Sequence, residues 1–225
     1  MTKNIGFNSI KDMNPEKPRL VVSACLLGER VRYDGRSAED EEILSMLAEF
    51  EVLPVCPEIG IGLGVPRERV IAYLSGGELR VSQLSTGRDL TEDLREFSAR
   101  FLRSVGKVDG FVLKSRSPSC GVSGTKTYAD PWGKRFVGRG MGIFALFVMN
   151  AFPHYPIEDE EGLKDPRRRL LFLTKVWLLW SVRSGKRNGG ELPEDEGKAL
   201  RYVENLNTED LKRLLRLFRD GSENP

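Results

Sequence analysis

The stretch Arg19-Leu-Val-Val-Ser-Ala-Cys25 decides the fold, because it is a short, β-branched run that ends in a cysteine. A short apolar run of this kind is typical of a strand buried in a parallel sheet. The arrangement returns at Glu51-Val-Leu-Pro-Val-Cys56, and a third strand is predicted over Val108–Lys114, six residues before Cys120. The sequence therefore predicts three buried strands that are each followed by a cysteine.

Helical patterns separate these strands. Apolar residues recur at helical spacing over residues 43–50 and 90–105, and an apolar run over 143–151 predicts a third helix. Residues 69–83 predict a hairpin, and a last strand is predicted at 156–158. This alternation predicts an α/β fold of the Rossmann-like type, with a mostly parallel sheet and flanking helices.

The composition divides the chain into three parts. Residues 1–18 predict a loose N-terminal leader, residues 19–162 an α/β domain, and residues 163–225 a C-terminal helical extension. Eight basic side chains stand near the start of the extension: Lys164, Arg167, Arg168, Arg169, Lys175, Arg183, Lys186 and Arg187. The favoured interpretation is a helix packed on the core with its basic residues in solvent. The alternative is a basic patch that contacts a phosphate backbone.

The overall composition excludes several classes of protein. The chain has 225 residues, of which 30% are charged, and a net charge of +2, so no global attraction to nucleic acid is indicated. A single histidine, His154, excludes a histidine-rich metal site and is interpreted as structural. Since there is no apolar run of about 18 residues and no signal peptide, we expect no membrane span and a cytoplasmic location, where thiols stay reduced.

The three cysteines are expected to meet at one edge of the sheet, because ligands of such sheets bind at the carboxyl ends of the strands. Three thiolates suit zinc or an iron–sulfur cluster. The chain has no CxxC pair, so a metal would keep one open position. The alternative is three buried, inert thiols, and spacing alone does not choose between the two.

Two further residues stand beside the cysteines. Glu58 follows Cys56 by two positions and, in an extended loop, would face the same way and act as a base toward water. The alternative is a solvated surface glutamate. Ser117-Pro-Ser-Cys120 predicts a β-turn that points Ser117 back toward Cys120, although simple turn chemistry also explains this serine.

Glycine-rich segments provide weaker candidates. The glycines over 60–64 are expected to let the backbone pass close to the site, and Arg67 beside them could pair with an anionic or carbonyl group. Gly138-Arg-Gly-Met-Gly142 precedes a helix, and either exposes backbone N–H groups to an anion or permits close helix–strand packing. Asp34 lies in a predicted turn and is a candidate wall residue of the site.

Several segments, taken in order, resemble the thiouracil desulfurase family, long catalogued as a domain of unknown function. They are Val-Ser-Ala-Cys25-Leu-Leu-Gly, Val-Arg-Tyr-Asp34-Gly, Pro-Val-Cys56-Pro-Glu58, Gly-Leu-Gly-Val-Pro-Arg67, Leu-Lys-Ser-Arg-Ser117-Pro-Ser-Cys120-Gly and the helix start at Gly138–Gly142. The resemblance spans about residues 18–162 and leaves the extension outside.

The resemblance implies an oxygen-sensitive 4Fe-4S cluster that Cys25, Cys56 and Cys120 would hold, with one iron open to the substrate. It implies non-redox hydrolysis of the C=S group of a thiolated pyrimidine, with release of sulfide. The substrate classes are thiouracil, thiouridine or thiolated tRNA.

The resemblance also assigns residue roles. The family's catalytic Glu and Ser fall on Glu58 and Ser117, which would activate water and pass a proton to the ring. Independently of the resemblance, the positions of Asp34, Arg67 and Lys114 beside these motifs make them candidate substrate contacts.

Two other functions remain open at this point. A cysteine-based sulfur-transfer protein without a cluster would carry one thiol of low pKa. A non-enzymatic RNA-binding protein would use residues 164–187 and show steep salt dependence.

Overall fold

The computed structural model describes residues 17–185, Leu192 and residues 195–220. The strands are β1 Arg19–Ser23, β2 Glu51–Val55, β3 Val70–Ser75, β4 Glu78–Gln83, β5 Gly110–Leu113, β6 Thr125–Tyr128, β7 Phe136–Gly140 and β8 Ile157–Asp159. The helices are α1 Glu41–Leu47, α2 Pro57–Gly60, α3 Thr91–Ser104, α4 Ile143–Ala151, α5 Pro166–Arg183, α6 Glu196–Glu204 and α7 Thr208–Asp220. None of these described helices is both long and apolar enough to cross a membrane.

The first sheet confirms the predicted α/β fold. Its order is β2-β1-β5-β8, and all three pairs are parallel. Three of its strands are the predicted ones that precede the cysteines. Strand β1 lies between β2 and β5, and its residues Leu20, Val21 and Val22 are completely buried. Helices cover this sheet, as the burial of its strands on both faces requires.

The second sheet holds two strands, β6 and β7, that the sequence pattern did not indicate. Its order is β4-β3-β6-β7, with β3 and β6 parallel and the two outer pairs antiparallel. The predicted hairpin over 69–83 is confirmed as β3 and β4. Gly138 and Gly140, expected in the loop before a helix, instead belong to strand β7.

Helix starts follow ordinary capping chemistry. Asp40 caps α1 by accepting hydrogen bonds from the N–H groups of Glu42 and Ile43, at 3.1 and 3.2 Å. Asp165 caps α5 in the same way through the N–H of Arg168, at 2.8 Å, with a proline at the first helical position. These side chains satisfy donors that the first helical turn otherwise leaves open.

The C-terminal extension is helical, as predicted, and shares its hydrophobic core with the α/β domain. One buried cluster contains Leu26 and Val112 of the domain together with Phe172, Val176 and Trp177 of α5. A fully buried side chain of this size contributes about 1.5–3 kcal/mol. The extension therefore forms part of the support beneath the strand that leads to Cys25.

The helix α5 packs on the core through its apolar side chains, as the favoured interpretation expected, and basic residues such as Lys164, Arg167 and Arg168 are exposed but paired at the surface. Six of them have carboxylate, hydroxyl or carbonyl partners: Lys164 with Asp40, Arg167 with Thr208, Arg168 with Glu158, Arg169 with Glu42, Lys175 with Glu204, and Arg183 with Asp109. Lys186 and Arg187 lie outside the described residues. Six of the eight basic side chains of residues 164–187 thus have a partner within the protein. His154 accepts a hydrogen bond from Lys175 through its carbonyl, at 3.1 Å, in keeping with a structural role.

Candidate active site

One cavity of about 390 Å³ lies where the loops that follow β1, β2 and β5 meet. This is the carboxyl edge of the parallel sheet, and the volume is typical of small-molecule sites. Seven of the predicted site residues line it: Cys25, Cys56, Cys120, Glu58, Ser117, Arg67 and Lys114. The structure therefore brings together side chains that are far apart in sequence.

Cys25 lies in a 3₁₀ turn directly after β1. Gly28 ends this turn with φ +89°, a left-handed conformation that favours glycine. The carbonyl of Cys25 accepts a 2.8 Å hydrogen bond from the N–H of Ala38. The turn and this long-range bond fix the buried thiol at the cavity.

Cys56 precedes the short helix α2, so the segment that carries Glu58 is helical and not extended as the sequence analysis assumed. Pro57 occupies the first helical position, and the Cys56 carbonyl accepts a 2.9 Å bond from the N–H of Gly60. Glu58 nevertheless lines the cavity, and only 8% of it is exposed. The alternative of a solvated surface glutamate does not apply.

Cys120 ends the predicted Ser-Pro-Ser-Cys turn. The Ser117 hydroxyl oxygen accepts hydrogen bonds from the N–H groups of Ser119 and Cys120, at 3.2 and 3.0 Å. Among the residues that the structure describes, the Ser117 hydroxyl donates to no protein acceptor, so its proton is available to a molecule in the cavity. The residue after Cys120 must be glycine, because a Cβ at Gly121 would overlap the side chain of Thr125.

The protonation of the three thiols argues against a single activated cysteine. The pKa of the Cys25 thiol is raised to about 11, mainly by burial and to a smaller extent by the nearby Cys56. Burial also raises the pKa of Cys56 and of Cys120. A sulfur-transfer protein with one low-pKa thiol is therefore not supported, and a metal would have to displace the thiol protons to bind.

The donor set fits a metal cluster better than a single metal ion. Within the described ranges, no three Cys, His, Asp or Glu side chains lie close enough together to hold one ion. A zinc ion would need its sulfur ligands at about 2.3 Å from one centre. Three thiols from three separate loops around one cavity instead fit a larger, thiolate-bound group such as an iron–sulfur cluster.

Glu58 is held on both carboxylate oxygens. Its Oε2 accepts hydrogen bonds from Nε of Arg67, at 2.8 Å, and pairs with Nη2 at 2.7 Å. Its Oε1 accepts a 2.9 Å hydrogen bond from the hydroxyl of the fully buried Ser119. Arg67 was predicted to contact a substrate anion or carbonyl. In the structure its guanidinium instead forms an ion pair with the carboxylate of Glu58.

Lys114 is held by a buried group that the sequence analysis missed. Its ammonium contacts the carboxylate of Glu160 and donates a 2.9 Å hydrogen bond to the Ser115 hydroxyl. Burial alone would raise the pKa of Glu160, but the bonds from Lys114 and Ser115 outweigh it and lower the pKa. Lys114 therefore presents an oriented positive charge at the cavity wall.

Asp34 is the predicted site residue that lies outside the cavity lining. It is exposed, accepts a 3.1 Å hydrogen bond from the N–H of Arg36, and lies 3.5 Å from the guanidinium of Arg32. Its carboxylate stabilises a local turn, which explains why it does not face the cavity. Its neighbours Arg32 and Tyr33 line the cavity instead.

The glycine-rich segments serve packing. A Cβ at Gly142 would overlap the Ser119 carbonyl, and the first N–H groups of α4 donate to Pro118 and Ser119 carbonyls, at 3.1 and 2.9 Å. These donors are not open to an anion. A Cβ at Gly60 would overlap the Phe97 ring, so the loop approaches helix α3.

Comparison with known proteins identifies the family. A sequence model of the 2-thiouracil desulfurase family matches residues 20–160 of the chain. The chain belongs to the 2-thiouracil desulfurase family. The matched range ends before the extension, which agrees with the span of the sequence resemblance.

Two relatives of this desulfurase family member are similar over almost their full lengths. The uncharacterized protein YbbK of Bacillus subtilis (strain 168) is 32% identical over 153 residues, which are 65% of this chain and 98% of YbbK. The solved structure of the [4Fe-4S]-dependent thiouracil desulfidase TudS is 31% identical, with a TM-score of 0.52, over 68% of this chain and 98% of TudS.

The rim of the cavity in this desulfurase family member is basic and includes residues without a sequence signal. The guanidinium groups of Arg32 and Arg69 lie 5.9 and 5.6 Å from the centre of the Tyr33 ring. Arg116 lines the cavity with φ +58°, a conformation that non-glycine residues rarely adopt and that occurs at functional sites. These residues belong to turns whose approach to one another depends on the tertiary fold.

Proposed function

We propose that this protein removes sulfur from a thiolated pyrimidine, and that Cys25, Cys56 and Cys120 bind the 4Fe-4S cluster that this reaction needs. One observation carries the proposal: the three thiols and Glu58 line the same cavity. The net reaction converts C=S and water into C=O and hydrogen sulfide. No electrons are transferred, so the reaction needs no oxidant or reductant.

The cofactor supports selectivity for sulfur. When bound, a cluster with one open iron supplies a soft Lewis acid, which prefers the thiocarbonyl sulfur of the substrate to the carbonyl oxygen of the product. The family match and the 31% identity to a [4Fe-4S]-dependent thiouracil desulfidase support this assignment.

Glu58 is the proposed general base. Its carboxylate would take a proton from the water that attacks the thiocarbonyl carbon. Arg67 and Ser119 fix the orientation of this carboxylate through hydrogen bonds of 2.8 and 2.9 Å. They act as positioning residues, because a base contributes to catalysis only when it is correctly oriented.

Ser117 and Lys114 are the proposed contacts to the pyrimidine ring. The Ser117 oxygen accepts two backbone hydrogen bonds, so its hydroxyl proton can be donated to a ring nitrogen or oxygen. The Lys114 ammonium, anchored by Glu160, would stabilise negative charge that develops on the ring.

The test is anaerobic reconstitution followed by two measurements: iron content, and sulfide release from thiouracil, thiouridine and thiolated tRNA side by side. We expect about four irons per chain and sulfide release from at least one substrate. Cys25→Ala, Cys56→Ala and Cys120→Ala should each lower the iron content, whereas Val31→Ala, at the same cavity, should not. Unchanged iron in the three cysteine variants, or a loaded protein that releases no sulfide, would contradict the proposal.

A further inference from the structure

The outer face of the β6–β7 hairpin combines aromatic and basic side chains. Lys126 and Tyr128 lie on one face of β6, since the alternating residues Thr125 and Thr127 are buried on the other face. Across the ladder, Lys126 pairs with Arg139 and Tyr128 with Phe136. The two rings are in contact, with their centres 6.1 Å apart. We call Lys126, Tyr128, Phe136 and Arg139 the hairpin face.

This hairpin also carries the most exposed apolar surface of the described chain. Phe136 is 54% exposed, Trp132 51% and Val137 48%, whereas the other exposed large apolar residues lie between 41% and 43%. Solvent exposure of aromatic rings is unfavourable, so a group of them marks a binding surface. The rings of Phe136 and Trp132 therefore expose about half of their surface to solvent, although Phe136 contacts Tyr128 and Lys134 lies over Trp132.

The charge on the hairpin is predominantly positive. Lys126, Lys134, Arg135 and Arg139 are exposed, and Asp130 is the acid between them. Backbone N–H groups of Trp132, Lys134 and Arg135 bind the Asp130 carboxylate, at 2.9–3.1 Å. Asp130 thus serves its own loop, and the surface presents positive charge to a partner.

The hairpin begins at the wall of the cavity. The Thr125 hydroxyl donates a 2.9 Å hydrogen bond to the carbonyl of Ser117, which lines the cavity. Arg139 donates a 3.0 Å bond to the Gly124 carbonyl, and a Cβ on Gly124 would lie 3.9 Å from Cγ of Arg116. Positive charge therefore continues from the cavity rim at Arg116 to the hairpin face.

We propose that the hairpin binds single-stranded RNA next to a thiolated base that enters the cavity. Alternating basic and aromatic side chains are the usual platform for single strands, because the bases stack on rings while cations bind phosphates. This inference rests on the proposed function and names a polynucleotide as the substrate class.

A second copy of the chain is a poorer occupant of this surface. A symmetric dimer would place the same patch on both sides of its interface, so that positive charge would meet positive charge. RNA supplies phosphates of the opposite charge and flat bases that can stack on the aromatic rings of the hairpin.

The test measures binding separately from turnover. Fluorescence anisotropy with a labelled oligouridylate of about eight nucleotides reports binding to the full chain without any desulfuration. The Lys126→Glu/Arg135→Glu variant should weaken binding at least tenfold and flatten its dependence on salt. Phe136→Ala should weaken it by about five- to a hundred-fold through lost stacking.

Matched controls separate this surface from general effects of charge. Arg100→Glu/Lys107→Glu changes the same charge on α3 and the loop before β5, near the opposite edge of the parallel sheet, and Tyr202→Ala removes an exposed ring from α6. Both should bind RNA like the wild type. Circular dichroism and thermal melting confirm that every variant is folded.

The outcomes distinguish this inference from the proposed function. Sulfide release from free thiouracil should be unchanged in all these hairpin variants, because none of the altered residues lines the cavity. Absence of RNA binding, or equal binding by hairpin and control variants, would overturn the inference even if thiouracil is desulfurated. A hairpin variant that alters only the oligomeric state, measured by light scattering, would reassign the surface to self-association.

Discussion

Ser119 donates a 2.9 Å hydrogen bond to Glu58, and this bond joins the loop after β5 to helix α2 across 61 positions of sequence. Ser119 follows β5 in the chain, whereas Glu58 follows β2, and both side chains are buried. The bond leaves one Glu58 oxygen bound by a neutral donor and the other by Arg67. The orientation of the proposed base therefore depends on two residues that need not touch the substrate.

Substitution of Ser119 should impair turnover through the orientation of Glu58. Ser119→Ala removes the donor from a buried carboxylate oxygen, which should lower the free energy of unfolding by about 1–3 kcal/mol. A general base contributes about 10²–10⁴-fold, so partial misorientation should lower kcat about 10- to 100-fold. The pH profile of kcat should also shift, because a hydrogen bond to the carboxylate is lost.

Ser98→Ala is the matched control for this substitution. Ser98 is equally buried, but its hydroxyl donates a 2.6 Å bond to the Leu94 carbonyl within α3. This control should change stability and leave the pH profile unchanged. Identical pH profiles for Ser119→Ala and the wild type would contradict a positioning role.

The Arg67 fork provides a second test of the same arrangement. Arg67→Lys keeps the positive charge but cannot reproduce two contacts to one Glu58 oxygen, so sulfide release should fall about tenfold or more. Arg80→Lys is the control, because Arg80 contacts Asp89 with the same two guanidinium nitrogens, at 2.9 and 2.8 Å, away from the cavity. Its kinetics should match the wild type, and equal losses in both variants would indicate a general effect.

The cysteine placement could be predicted because it follows from strand order. Parallel strands end at one edge, so cysteines after β1, β2 and β5 had to converge once these strands were recognised. The hairpin of β6 and β7 could not be predicted, since its outer face is exposed and Thr125–Tyr128 therefore lacks an apolar alternation.

The partners of the site residues were harder to predict. Pro57, a residue favoured at the first helical position, was an available signal that Glu58 lies on a helix. No local signal connects Ser119 to Glu58 or Glu160 to Lys114, because the partners are 61 and 46 positions apart in the sequence. Likewise, Asp109 and Glu158 lie far along the chain from Arg183 and Arg168, so the sequence could not show that these cations are paired.

The buried Glu160 carboxylate should make stability depend on pH. Its pKa in the fold is lowered by Lys114 and Ser115, which outweigh burial. A group whose pKa is lower in the folded state stabilises the fold above its unfolded pKa of about 4.3. This contribution is lost as the pH falls through the folded value.

Glu160→Gln should therefore destabilise the protein by about 1–3 kcal/mol at pH 7, and the difference from the wild type should shrink below about pH 4. Urea unfolding at both pH values measures this change. Glu161→Gln, the adjacent and half-exposed residue, should show little effect at either pH. A Glu160→Gln effect of equal size at both pH values would contradict the assigned ionic role.

The junction between the extension and the α/β domain depends on the buried pair of Arg183 and Asp109. Asp109 is 1% exposed, accepts a 2.8 Å bond from the N–H of Arg19, and contacts two guanidinium nitrogens of Arg183. Arg183→Ala would leave this carboxyl buried without its cation. The free energy of unfolding should fall by about 3–5 kcal/mol.

A control variant and a double variant measure how much the Arg183–Asp109 pair contributes to stability. Lys212→Ala removes an exposed cation paired with Glu209 on α7 and should leave stability unchanged. Asp109→Asn combined with Arg183→Ala should recover part of the loss, because the remaining buried group is neutral and keeps its bond to Arg19. If Arg183→Ala unfolds at the wild-type urea concentration, the extension is attached through its apolar face alone, and Trp177 rather than Arg183 fixes it to the strands that carry the cysteines.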